Sequence, residues 1–158
     1  MSVKTLSDKA NLYKIVAFLI LVAAALALAT CGKEPTDEEK IEALIRDAAE
    51  KAEAKDIRGV LKHVSESYKD REGNDRNQIK GLLFVYFQGY EKIGIFIRDI
   101  KVEVKGDDAM AVVKLVFTGG AEIIPESGSG YVLDLKLKRE EGDWRVVRAG
   151  WTESKVLF

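Results

Sequence analysis

The apolar residues of this chain recur in three different rhythms. From Ile15 to Ala29 every residue is apolar. From Thr36 to Tyr90 they recur every third or fourth residue, the period of a helix with one buried stripe. The first such run carries Ile41, Leu44, Ile45, Ala48, Ala49 and Ala52. Thr36 with Glu39 three residues on reads as its capping box. Asp56 reads as the N-cap of a short second helix with Ile57, Val60, Leu61 and Val64. Polar and glycine residues around 70–75 mark a loop. Asp75 then caps a third helix carrying Ile79, Leu82, Leu83, Tyr86, Phe87 and Tyr90, a bulky stripe predicted to pack broadly on a sheet.

Beyond Tyr90 the period becomes two. Ile100, Val102 and Val104 alternate with Asp99, Lys101 and Glu103. Gly106-Asp107-Asp108 reads as a hairpin turn. Ala109 to Thr118 is apolar at nearly every position, as in a central strand covered on both faces. Tyr131 to Lys138 alternates again, Glu141-Gly142-Asp143 turns, and Trp144 to Trp151 forms the last strand. Helices first and an antiparallel meander second predict an α+β fold, with three N-terminal helices packed on one face of a curved antiparallel sheet.

The fifteen-residue apolar run follows Lys4, Lys9 and Lys14. It is short for a spanning helix, which needs about 20 residues, and fits the h-region of a signal peptide behind a basic n-region. The run ends at the only cysteine. Leu28-Ala29-Thr30-Cys31 resembles the bacterial lipobox, although Thr30 departs from its usual Gly, Ala or Ser. The resemblance implies cleavage before Cys31 and thioether lipidation of its thiol, followed by acylation of the new amine. An uncleaved anchor and plain secretion are the alternatives. Two or more acyl chains hold firmly in a bilayer where one binds marginally, and lipidation accounts for a lone thiol in an exported protein. Gly32 stands where an aspartate would signal inner-membrane retention in a Gram-negative cell, so the lipoprotein resemblance implies outer-membrane sorting, facing the periplasm, in a cell that has an outer membrane. The expected organisation is a signal peptide at 1–30, a short tether at 31–35 and one domain at 36–158.

The whole chain carries 25 basic and 26 acidic side chains, and without residues 1–30 its net charge is −3. A mildly acidic domain is ill suited to phosphate backbones, so nucleic acid is excluded as a partner.

From Thr36 to Trp151 the chain resembles the nuclear transport factor 2-like superfamily, also called cystatin-like. The segments that carry the resemblance are EEKIEALIRDAAEKAEAKD, IRGVLKHV, Ser67-Tyr68-Lys69-Asp70 and the closing GDWRVV hairpin. It implies a cone whose mouth opens into a pocket. Among its members are isomerases, dehydratases and non-catalytic binding modules, so fold alone does not select a function.

Tyr68, Tyr90, Arg98, Arg148 and Trp151 are the candidate pocket residues. Arg98 and Arg148 share strand parity with apolar neighbours. They either read an anion inside the cone or are turned outward by bulges or ion pairs. Tyr68 and Trp151 line the mouth or, as favoured here, plug it. Catalytic residues are not assigned. His63 is the only histidine, and its pairing with Asp70 or Asp99 is not dictated by spacing. An isomerase-like site would draw on Tyr68, Tyr90, His63, Asp99 or Asp134. Asp70-Glu72-Asn74 resembles the start of a calcium loop, but Asp75 and Gly81 stand where that loop needs glycine and glutamate. No metal or cofactor is implied. The preferred reading is a membrane-anchored, non-catalytic module that binds a small molecule or an envelope protein. An isomerase or dehydratase, or a homodimeric interaction subunit joined through Val112, Val116 and Val132, is the alternative.

Overall fold

The computed structural model describes residues 34–119 and 129–154. The signal segment, Cys31 and most of the Gly119–Gly130 connection lie outside them. Three helices, α1 (Asp37–Glu53), α2 (Ile57–Lys62) and α3 (Arg76–Gly89), precede four strands. These are β1 (Ile93–Lys105), β2 (Asp108–Gly119), β3 (Ser129–Glu140) and β4 (Asp143–Ser154), which form an antiparallel open sheet in the order β1-β2-β3-β4.

Each helix begins where a short polar side chain can accept a backbone N–H that the helix itself leaves unpaired. The Thr36 hydroxyl accepts from Glu39 N, while Glu39 Oε2 accepts from Thr36 N at 2.8 Å. Asp56 accepts from Gly59 N at 2.9 Å. Asp75 and Gln78 form a second reciprocal box, at 2.9 Å in both directions. Replacing Thr36 by alanine removes one side of the first box, and the expected loss is about 1 kcal/mol of stability in a denaturant melt.

The cross-strand register shows which residues share a face. Ile100, Val113, Leu133 and Trp151 lie in one row across the sheet. Val102, Ala111, Leu135 and Ala149 form the next row, and Val104, Ala109, Leu137 and Val146 the one after. Ile41 and Ile45 of α1 bury against this face, joined by Tyr68 and Trp144. The opposite face is crossed by charged rows, Lys101–Val112–Asp134 and Glu103–Met110–Lys136–Arg148.

β1 starts at Ile93, where the apolar run from Ile93 to Ile97 is already paired with β2. Three sequence-level expectations need correction. β2 is covered on both faces only at its C-terminal end. Over 109–114 buried residues alternate with exposed or half-buried ones, and Met110 is 56% exposed. Among the described residues of α3 only Phe87 is buried, while Leu82, Phe84, Val85 and Tyr86 are exposed. α3 makes its main described contacts with α2 and not with the sheet. Val116, considered for a dimer face, is fully buried.

α2 and α3 are joined by Arg76. Its guanidinium donates to the carbonyls of Val64 (3.2 Å) and Leu61 (3.1 Å), and it pairs with Glu66 at 2.9 Å. Those carbonyls lie at the end of α2, where a cation suits the helix dipole. Beyond α2 the backbone runs along the free edge of β4. Val64 bridges Val146 in parallel, Ser65 N donates to Val146 O, and Lys69 N donates to Val147 O.

Candidate functional site

The chain offers two regions for function. One is the end of the sheet that carries Trp151, with the apolar surface of α3. The other is a groove beside α1.

Tyr68 is buried at 4% exposure in the core on the helix-bearing face. Burial pushes its phenol up to about 12, the charges of Asp70 and Glu72 push the same way, and a hydrogen bond with the Ala149 backbone opposes them. Tyr68 therefore fills space and is not presented to solvent. Tyr90 sits after α3, its ring edge-on to Phe117 with centroids 5.6 Å apart. A Cβ on Gly119 would overlap the Tyr90 ring, so glycine lets strand and ring approach. Trp151 is 48% exposed on the helix-bearing face, opposite Leu133.

The two arginines are turned outward by the geometry of their strands. Ile97 pairs with Leu115 and Asp99 with Lys114, so Arg98 is the extra residue of a β-bulge and is exposed. On β4, Val146 pairs with Leu137 and Arg148 with Lys136, leaving Val147 as the extra residue. That one-residue slip moves Arg148 off the Trp144–Val146 face and exposes it. The pair does not form an anion site inside the fold.

His63 meets neither Asp70 nor Asp99. Its Nε2 lies 2.6 Å from Asp47 Oδ2. This hydrogen bond is the main cause that holds the Asp47 carboxyl below its ordinary value, with Lys51, His63 and Lys62 contributing charge. Asp70 is buried and spends one oxygen on the Asn74 backbone N–H and the other on its side-chain amide, both at 2.7 Å. It organises the loop before α3. Asp134 pairs with Arg71 at 3.2 Å. Asp99 stands at the β1 bulge. The proposed acid, base and hydroxyl groups therefore occupy separate environments.

A further polar cluster was not legible in the sequence. Asp37 accepts from Arg139 at 2.6 Å and from the Trp144 indole at 3.2 Å, and the Arg139 guanidinium lies 4.6 Å from the Trp144 ring centroid. Arg139 first, then the indole, lowers the Asp37 carboxyl from its ordinary value. A depressed carboxyl stabilises the fold above its unfolded value and loses that contribution as pH falls through the folded one. Replacing Asp37 by asparagine is expected to flatten the acid limb of a stability–pH curve.

Among the described residues no group of three or more His, Cys, Asp or Glu side chains is placed to hold a metal, and no helix is long and apolar enough to cross a membrane.

No family model and no curated protein matches the sequence. Solved structures do match the fold. A protein of unknown function with a cystatin-like fold from Nostoc punctiforme aligns with a TM-score of 0.65 at 10% identity, over 79% of this chain and 98% of that one. A proposed dehydratase of the nuclear transport factor 2-like family from Streptomyces avermitilis aligns with a TM-score of 0.64 at 14% identity, over 75% and 96%. Bd1075 from Bdellovibrio bacteriovorus aligns with a TM-score of 0.64 at 10% identity, over 73% of this chain; the chain spans 40% of Bd1075. The fold is thus similar to that of nuclear transport factor 2-like and cystatin-like proteins. At these identities the likeness extends to the fold and not to the chemistry.

Proposed function

We propose that the chain is a membrane-tethered, non-catalytic binding module of the bacterial cell envelope. Cys31 carries the lipid, and residues 31–35 form the tether. The domain beyond takes a small molecule or an envelope protein at the cone mouth, the end of the sheet that bears Trp151. One observation carries the binding half. Leu82, Phe84, Val85 and Tyr86 leave apolar surface exposed on α3, and Trp151 does so on β4, whereas Tyr68, His63 and Asp99 do not converge. Large apolar side chains exposed together on one helix are the kind of surface that interaction sites use. The lipid half rests on the lipobox-like LATC stretch.

Native mass spectrometry of full-length protein extracted gently from membranes tests both halves. The expected spectrum shows diacylglyceryl and acyl mass on Cys31, with additional mass that leaves on denaturation. Unmodified Cys31 in membrane-extracted protein would refute the tether. A lipidated protein without any bound species would refute occupancy of the cone mouth. The charged rows on the outer sheet face, and the burial of Val116, disfavour a homodimer through that face.

A further inference from the structure

We propose that the groove between α1, the end of α2 and the β3–β4 turn is a binding site for a hydroxylated organic anion. The groove encloses about 390 Å³, within the range of small-molecule sites. Its walls include Lys40, Leu44, Asp47, Lys62, His63 and Trp144. It is separate from the cone mouth and does not depend on the lipid at Cys31.

The chemistry follows from which groups are already committed. Asp47 is occupied by His63 at 2.6 Å and by Lys51 at 3.7 Å. Arg145, at the rim, donates to the Lys62 carbonyl at 2.6 Å. Asp37 takes its short hydrogen bonds from Arg139 and Trp144, so Lys40 approaches it only at 3.9 Å. Among the described residues Lys62 makes no ion pair within 4.0 Å, and its charge reaches Asp47 only from farther away. Asp143, the other acid of the lining, pairs with Arg145 at 3.9 Å. The groove thus holds Lys62 without a close acid and Lys40 with only the long pair to Asp37, beside the apolar surface of Ala43 and Leu44. A carboxylate suits that pair, and a short hydrocarbon suits the floor.

His63 supplies the second element of recognition. With Nε2–H donating to Asp47, that tautomer leaves Nδ1 as a lone-pair acceptor. That nitrogen has no hydrogen bond among the described residues. A hydroxyl donor on the ligand would satisfy it. The backbone holds the imidazole in register, because His63 O accepts from Val146 N at 2.8 Å.

The test is a ¹H–¹⁵N titration of the full chain in lipid nanodiscs with 3-hydroxyhexanoate, hexanoate and methyl 3-hydroxyhexanoate. The expected result is shifts centred on Ala43, Lys62, His63 and the Trp144 indole, with a dissociation constant of about 1 mM or tighter for the hydroxy acid. Hexanoate should bind several-fold more weakly, and the uncharged ester about tenfold more weakly or worse. Lys62→Gln should weaken the hydroxy acid about tenfold, and His63→Phe should make hexanoate and the hydroxy acid equivalent. Three results would each overturn the proposal: no shifts up to about 10 mM, shifts centred on Trp151, or equal binding of acid and ester.

Discussion

Tyr68→Ala is expected to destabilise the domain by about 3–5 kcal/mol, as large aromatic truncations in packed cores do. That is a substantial fraction of the roughly 5–15 kcal/mol that holds an ordinary domain together. The ring is 4% exposed among Ile41, Ile45 and the strand residues beneath them, so its removal leaves a cavity. Tyr68→Phe separates packing from ionisation. The phenol is raised from 10.0 to about 12 in the folded chain. Its contribution is therefore complete below pH 10 and is lost as pH rises from 10 towards 12, because only the unfolded chain ionises readily there. A rise of that size corresponds to about 3 kcal/mol. Urea melts at pH 9 and pH 11.5 should show a loss of this order in the parent chain that is markedly smaller in Tyr68→Phe. Equal losses in both would assign the alkaline limb to other groups.

In vesicles with brominated acyl chains, Trp144 should be quenched and Trp151 largely spared. The reasoning is geometric. Asp37 is six residue steps beyond Cys31, a reach of about 20 Å when fully extended. Asp37 is tied to Trp144 and Arg139, so a lipid on Cys31, as proposed above, would tether the domain by its β3–β4 end. Trp151 lies seven residues along the same strand, about 23 Å away. α1 spans about 25 Å in the same sense, since Glu53 at its far end accepts from Ile95 N at 2.7 Å. Reconstituted lipidated protein and its Trp151→Phe variant give the comparison directly. If removing Trp151 removes most of the quenching, the domain lies with its mouth on the membrane and this orientation is wrong. Mass analysis of Cys31 in the same sample separates that outcome from a missing lipid.

Local chemistry was legible in the sequence, and long-range packing was not. Thr36, Asp56 and Asp75 each cap a helix because a cap is a contact within three residues. The Gly106 and Gly142 turns were equally local. Both have positive φ, 63° and 92°, which glycine adopts without strain. The outward turn of Arg98 and Arg148 was one of two readings left open. Strand parity cannot choose between them, because a single extra residue reverses it. The partner of His63 lies sixteen residues away on another helix, and only the packing of α2 on α1 brings them together. The Asp37–Arg139–Trp144 cluster spans more than a hundred residues. The stripe on α3 was legible as apolar, but not that much of it stays exposed. Periodicity identifies an apolar face and is silent about what covers it.

The stretch from Val64 to Lys69 along β4 bears on how the protein can fail. An open sheet has two borders, and each is a template on which a foreign strand can polymerise. Here one border is partly closed by the chain's own backbone at Val146 and Val147, and a Glu53 carboxylate occupies Ile95 on the other. A peptide joining the sheet by strand addition along 97–105 of β1 would meet the Arg98 bulge and the charges of Asp99, Lys101 and Glu103. The same features that blunt peptide capture also hinder copies of the domain from pairing edge to edge into fibres.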